Sequence, residues 1–522
     1  MKPSKESAMA MPVMTTDLAT FGSVVSMKPH LAAPTRGWND WPFAILFFLN
    51  VAAIATLLGV YGSALFKAAG SANSLSSFIT NQNLKTVLAI CGVLSAIATL
   101  LAFLMLELTI RYARAMIQIG LWFAVTMCLV CAGWAGYKKQ IALAVLFGVL
   151  SLISICYAFA VQTRIPFAAA NLKVAASAIR THGSMHAVAF LFLVLQLAWV
   201  FVWCVAVVGI TNHLTDGTAP ANSPTGTLAN GVRCSKNDQC ISNNCVASGG
   251  LMLTSRRVCR AQTAFTQLRG EAYVAYFFLL VSFFWGVNVC KNILHVTVAG
   301  AVGSWWHTNQ TTGVVRGSLK RASSTSLGSI CLGSLLVAIL QALRQLAEEA
   351  RRQGDCTACI AECILGCLQS IMETFNRWAF VYVGMYGYKF LDAGRAVTSL
   401  FHERGFDAII TDDMVGTSLG FAAFGVGGCC GLLGYAAYFI DHSAQFPSSI
   451  YILPIAGLVV GLGIAMVPLG VIDSAVATVY VCFAEDPAAL QLTHPQEYQL
   501  LMAEWHRMYP EIMMASGYFV VI

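Results

Sequence analysis

Charge is what this sequence most lacks. Only 11% of its 522 residues are Asp, Glu, Lys or Arg, where a soluble globular chain carries roughly 25%. A long chain so poor in charge cannot present a surface that water solvates, which excludes an ordinary soluble protein. Its hydrophobic share of 57% and mean hydropathy of +0.70 point instead to a multi-pass membrane protein. A concentrated basic surface is also missing. The net charge of +7 is spread between apolar runs, a distribution that suits topology determinants, so no nucleic-acid partner is expected.

Catalytic signatures are equally sparse. The chain has no H-E-x-x-H, no Walker A motif and no G-x-S-x-G. D-A-G-R at 392–395, followed by Gly405, Asp407, Asp412 and Asp413, partly matches the aspartate signature of integral CDP-alcohol phosphotransferases. The leading aspartate pair of that two-metal signature is absent and the later spacings fail. An enzyme is therefore not expected, and no cofactor or metal is implied. No cleavable signal is expected before the first span either. Residues 1–37 are polar, with Pro3, Pro12, Pro29 and Pro34, and read as a disordered cytoplasmic tail.

What is present is a series of long apolar runs. A spanning helix needs about 20 largely apolar residues. Such windows lie near 41–66, 86–107, 115–136, 140–162, 186–211, 272–302, 326–345, 371–392, 417–440 and 449–483. The expected fold is thus all-α, a polytopic membrane helix bundle of about ten transmembrane helices. The last window exceeds one simple span, and Pro454 and Pro468 predict a kink or break there. The chain divides into the tail 1–37, five spans in 38–212, a loop at 213–270, five spans in 271–486 and a C-terminal tail at 487–522.

An even number of spans with a cytoplasmic start puts both termini inside. The inner connections then hold Arg111, Arg114, Arg164, Lys173, Arg180, Arg316, Lys320, Arg321, Arg395 and Arg404, more cations than the short outer connections carry. The sequon at Asn309 falls in an inner loop under this orientation, so a sugar found there would reverse it.

The loop 213–270 is the one sizeable soluble insertion. Its Cys234, Cys240, Cys245 and Cys259 predict two disulfides on the outer side, with three connectivities open; a zinc site is the competitor, although the usual C-x2-C knuckle is missing. A second group, Cys356, Cys359, Cys363 and Cys367, recurs every three to four residues and reads first as a small packing stripe on one helix face, with disulfides or, on a cytoplasmic side, acylation as the alternatives.

Two faces within spans could carry chemistry. On 375–395, Trp378, Tyr382, Met385, Tyr386 and Lys389 share one side, while Asn376, Val383, Gly384 and Gly387 lie on another where a neighbouring helix could approach closely. An aromatic face serves packing more often than ligands, but ring faces also attract organic cations. In the sixth span Trp285, Asn288, Asn292 and His295 form a polar stripe, either fastening helices or facing a cavity. Lys291 lies off that stripe and is expected to pair with Glu373 or Asp473. Gly416/Gly420 and Gly457/Gly461, at four-residue spacing, are expected to give close packing or sliding surfaces.

Several stretches in order resemble the choline transporter-like family. Asn376-Arg377-Trp378-Ala379-Phe380 followed by Tyr386-Gly387 resembles its NRxAY…YG block, and SLGSICLGSLLVAILQALR at 326–344 is similar to the span before it. VNVCKNILHVTVAGAVGSWW at 287–306, GVIDSAVATVYVCFAED at 470–486 and WNDWPFAILFFL at 38–49 resemble further family blocks. The chain departs from the pattern in three places. The loop after the first span is short, Phe380 stands where Tyr is common, and HPQEY at 494–498 only approximates the family's tail motif.

The resemblance implies a plasma-membrane solute carrier that moves choline or a related amine by alternating access. On that reading Trp285, Trp378, Tyr382 and Tyr386 supply a cation–π surface, while Asn288, Asn292 and His295 meet the hydroxyl end. Partners would be the small organic cation and membrane lipids, with no cofactor and no obligatory sodium site. A membrane scaffold or receptor-like protein, whose aromatic faces only pack, is the alternative.

Overall fold

The computed structural model describes residues 37–62, 82–216, 245–248, 256–259, 270–308, 310–352, 356–404, 414–440 and 449–515. The tail 1–36, most of the 213–270 loop with Cys234 and Cys240, and the sequon residue Asn309 lie outside the described residues.

Among the described residues, ten helices are long and apolar enough to cross a bilayer. They are α1 (Trp41–Leu57, continued by a π turn at Leu58–Gly62), α2 (Gln82–Arg111), α3 (Ala113–Tyr137), α4 (Ile141–Val161) and α6 (Ser184–Asp216). The second group is α7 (Gly270–His307), α9 (Leu327–Arg352), α10 (Cys356–Tyr386), α12 (Met414–Ile440) and α13 (Ser449–Glu485). Shorter helices fill the remaining connections: α5 (Ile165–Thr181), α8 (Val314–Ala322), α11 (Phe390–Arg404), α14 (Pro487–Thr493), α15 (Pro495–Met508) and α16 (Pro510–Ala515). By connection order these shorter helices lie at one end of the bundle, here the capped end. The hairpin end carries the tight turn between α3 and α4. It also carries the loop in which β1 (Cys245–Ser248) pairs antiparallel with β2 (Arg256–Cys259), with Cys245 opposite Cys259.

Burial separates core from periphery. Half or more of the most apolar stretch is buried in α9 and α13, against 6% in α1 and 11% in α4. The continuous core runs through α7, α9, α10, α12 and α13, and α5 packs beneath it with a nearly all-buried face from Phe167 to Ile179. Trp505 of α15 is fully buried and stacks on Phe483, with ring centroids 4.3 Å apart, so the stretch after 487 closes the capped end.

Several expectations change on folding. The window at 371–392 belongs to a longer helix that starts at Cys356 and stops at Tyr386. Gly387 then takes φ +77°, a left-handed conformation that ends helices and that only glycine adopts without strain. Lys389 therefore does not continue the face of Trp378, because it lies beyond that break. Pro454 and Pro468 sit inside one continuous helix, without a break. Gly457 and Gly461 do pack closely, against Cys430 and Gly427 of α12, whereas Gly416 and Gly420 line open space. Cys359, Cys363 and Cys367 are exposed free thiols rather than a packing stripe.

Candidate functional site

Helix α7 changes character along its length, and its partners record the change. Asn288 Nδ2 donates to Gln341 Oε1 on α9 at 2.9 Å, and one turn on Asn292 Nδ2 donates to Ser334 Oγ at 2.8 Å. His295 follows, bridging Ser474 Oγ on α13 at 2.7 Å and the Arg377 carbonyl on α10 at 3.0 Å. With Nε2–H donating to the carbonyl, a neutral imidazole leaves Nδ1 as an acceptor, and it competes for the one Ser474 hydroxyl proton with the Gly470 carbonyl, 2.7 Å from Oγ. Beyond His295 the polar side chains give way to small ones. Gly300 lies against Gly384 of α10, where a methyl on Gly384 would come within 2.6 Å of the Val296 carbonyl. Trp306 Nε1 finally reaches the Asp486 carbonyl at 2.8 Å.

The polar stretch of α7 borders a cavity of about 330 Å³, closed by α9, α10, α12 and α13. Ligand pockets run from roughly 300 to 1,000 Å³, so the space suits a small molecule. Its walls carry Lys291 and Arg377 against Glu373 and Asp473. Arg377 Nη2 and Asp473 Oδ1 form an ion pair at 2.7 Å, the guanidinium being the more buried partner. Glu373 is held more loosely. Its Oε1 accepts from Gln369 Nε2 at 2.8 Å and from Gln341 Nε2 at 3.3 Å, which joins it to Asn288 through Gln341. Gly416 and Gly420 leave the α12 wall low. No Phe, Tyr or Trp lines this cavity among the described residues.

The cavity stops at a polar floor made of the His295–Ser474 contact and the Arg377–Asp473 pair. On the capped side of that floor lies an aromatic layer. Trp378 packs edge-on against Phe401 at 5.2 Å, and Tyr382, Tyr386 and Tyr388 form a three-ring group with centroids 5.4 to 6.1 Å apart. The Tyr386 hydroxyl donates to Glu485 Oε2 at 2.7 Å. Burial of Tyr388, reinforced by the Glu485 carboxylate, raises the pKa of its phenol.

A clasp holds the capped end together. Asn39 N donates to the Thr325 carbonyl at 3.2 Å, and its side chain reaches the Gly387 carbonyl. The Asp40 carboxylate accepts from Ser329 Oγ at 2.6 Å and from the Phe390 backbone N–H at 3.0 Å. One dipeptide before α1 thus ties the start of α9 to the start of α11. Among the described residues, the space here has shrunk to about 20 Å³.

The structure separates the residues that sequence reasoning grouped. Asn288, Asn292 and His295 share the cavity. Trp378, Tyr382 and Tyr386 lie under its floor. Trp285 lines neither, since its ring packs on Phe47 at 5.2 Å and its Nε1 donates to the Cys331 carbonyl. Lys291 is exposed to the cavity and forms no ion pair within 4.0 Å among the described residues; Asp473, expected as a partner, is engaged by Arg377 instead. Sequence reasoning missed Gln341 and Glu485 as parts of these two regions, and named Glu373 and Asp473 only as partners for Lys291. A carboxylate inside an apolar span was the available signal for Glu373, Asp473 and Glu485.

Comparison with known proteins shows what the chain is similar to. A family model described as plasma-membrane choline transporter matches residues 145–488. Protein PNS1 of Debaryomyces hansenii is 26% identical over 91% of this chain and 88% of its own length. Protein PNS1 of Cryptococcus neoformans is 27% identical over 98% and 90%. A CTL-like protein of Dictyostelium discoideum is 26% identical over 91% and 76%. The match spans α4 to α14, every helix that borders the cavity among them, and the chain belongs to the choline transporter-like family of multi-pass membrane proteins.

Proposed function

We propose that the protein carries choline or a related small amine across the plasma membrane by alternating access, and that the structure is its outward-open state. The observation that carries this reading is the polar cavity inside a ten-span bundle, open on the hairpin side of its floor and sealed on the other. With both termini cytoplasmic, the basic connections collect at the capped end, as the positive-inside rule favours. The cavity then faces outward.

Each region has a role in this cycle. Glu373, exposed and loosely bonded, attracts the incoming ammonium. Asn288, Asn292 and His295 offer amide and imidazole groups to the hydroxyl end. The substrate then lies over the Arg377–Asp473 pair, whose carboxylate exchanges guanidinium for ammonium as the floor parts. Below it Trp378, Tyr382 and Tyr386, with Tyr388, present ring faces, each worth about 0.5–2 kcal/mol to a well-placed cation. Glu485 supplies the counter-charge there once Tyr386 releases it. Trp285 keeps α7 seated on α9 and α1 and makes no substrate contact. An inside-negative potential of 100 mV favours entry of one positive charge by about 2.3 kcal/mol. Uptake on this scheme needs no coupled ion.

Purified protein in liposomes tests the proposal. Wild type is expected to show saturable choline uptake driven by an inside-negative potential. Asp473→Asn is expected to abolish it while the protein remains monodisperse and inserted. A wild-type protein that moves no amine under any gradient would contradict transport and favour a scaffold or receptor-like role.

A further inference from the structure

The cations that mark the capped end are not scattered over it. Arg111 ends α2, Arg114 lies in the first turn of α3, and Lys173 and Arg180 follow at a seven-residue interval on α5. All four border a single cavity of about 810 Å³, closed on its far side by α15. Two carboxylates share the lining, Glu497 and Glu504, and both are already engaged. Glu497 Oε1 accepts from Ser177 Oγ at 2.8 Å, and Glu504 pairs with Arg507 at 2.8 Å.

Among the described residues Arg180 is the one of these cations held by a hydrogen bond, its Nη2 donating to the Ile110 carbonyl at 2.9 Å. Arg111 lies 5.8 Å from the centroid of the neighbouring Tyr112 ring. Arg111, Arg114 and Lys173 are exposed, and none has a carboxylate partner within 4.0 Å among the described residues. A topology signal needs only that cations stay on one side of the membrane. It does not need four of them to converge on one concavity, so a ligand explains more than the topology rule does.

The rest of the lining indicates where that ligand comes from. The cavity sits where α2 turns into α3, at the level at which the membrane-spanning stretches end. Ile110, Ala113 and Pro166 give it an apolar rim. Further along α3, Ile119 is 58% exposed and Trp122 42% exposed, so an apolar surface suited to hydrocarbon continues from the rim towards the middle of the span. Cationic groups at the headgroup level with an apolar wall above them fit a molecule with both parts.

We infer that the cavity between α2, α3, α5 and α15 binds the multiply phosphorylated headgroup of an anionic membrane lipid. Arg114 and Lys173 hold the phosphates, Arg180 fixes the α2–α3 turn that presents Arg111, and the apolar rim takes the glycerol and first acyl carbons. This site is separate from the substrate cavity and neither requires nor tests transport.

Binding of a fluorescent short-chain phosphatidylinositol bisphosphate to the purified full-length protein in neutral detergent tests the inference. Short-chain phosphatidylcholine and soluble inositol trisphosphate serve as controls. Saturable binding of the bisphosphate is expected, with no binding of phosphatidylcholine and at least about tenfold weaker binding of the soluble phosphate. Basic side chains near a membrane surface contribute about fivefold each, so Arg114→Gln with Lys173→Gln should weaken binding about 30-fold. Glu504→Gln should tighten it, by up to about fivefold. That gain guards the result, because a damaged protein does not bind more strongly. No saturable binding, or affinities unchanged in both variants, would overturn the site. Soluble inositol trisphosphate binding as tightly as the lipid would overturn the assignment to a lipid.

Discussion

Along α7, residues 288 to 295 border open space, while residues 300 to 306 meet packed glycine, aromatic and sulfur atoms. The two stretches belong to one helix and differ both in their own side chains, polar in the first and small or aromatic in the second, and in what their neighbours supply. Around the first, α9, α10 and α13 bring Gln341, Glu373 and Asp473, whose polar ends keep the helices apart and solvate the space between. Around the second, Gly384 and Met385 approach so closely that Gly300 and Gly303 have no room for a side chain. A transport cycle must exchange these two conditions. The differences between the halves therefore say which contacts have to break.

The largest effect is expected at the glycine crossing. Gly384→Leu places a branched side chain where even a Cβ would lie 2.6 Å from a backbone carbonyl. Overpacking costs about 1–3 kcal/mol where neighbouring side chains can shift; a four-carbon side chain meeting backbone exceeds that range and forces α7 and α10 apart. A thermal melt in detergent should show a clear loss of stability, together with loss of uptake; wild-type stability would mean that the sealed half is looser than the contacts indicate.

The Asn39–Asp40 clasp comes next. Asp40→Ala removes acceptors from Ser329 and from the Phe390 N–H, and bonds to a charged group contribute about 1.5–3 kcal/mol each before relaxation. The sealed end should open more often, seen as faster hydrogen exchange in 386–396 with the 288–295 stretch unaffected. Equal exchange in both stretches would remove the clasp from the gating account.

Within the open half, Glu373→Gln keeps the amide contacts but deletes the charge. A loss of about 1 kcal/mol in attraction corresponds to about a fivefold rise in KM for choline, with kcat little changed. An unchanged KM would assign the cation's first contact elsewhere. The smallest change is Tyr386→Phe, which loses one hydroxyl bond to Glu485, about 1 kcal/mol net. Its expected signature is a shift in the balance between inward- and outward-facing states, measured as altered efflux against influx, rather than a loss of protein.

How far the sequence revealed this contrast depended on the range of the interactions. Apolar runs long enough to span a bilayer are local, and all ten could be read directly. The polar stripe at 288, 292 and 295 was legible for the same reason, since a 3–4 residue rhythm fixes a shared face. The start of α10 was misplaced because Glu362, Glu373, Asn376 and Arg377 lower its hydropathy, although neighbouring helices satisfy several of these groups: Arg351 meets Glu362, and Asp473 meets Arg377.

Which helices face one another was not legible. Periodicity put Trp378, Tyr382 and Tyr386 on one side of α10, yet only packing shows that this side lies under the floor, with Glu485 and not Glu373 beside it. Lys291 failed as an expected ion-pair partner for a related reason: Asp473 had a nearer cation on a helix that the sequence could not place.

In the proposed cycle choline enters the open half first while the tyrosine half stays shut. Alkylation by a membrane-impermeant thiol reagent, followed site by site through peptide mass spectrometry in Asn292→Cys and Tyr386→Cys proteins, tests it most directly. The expected result is rapid modification at position 292 from the hairpin side, slowed by choline, with position 386 protected from that side throughout. Position 292 unreactive or indifferent to choline, or position 386 reacting first, would contradict it.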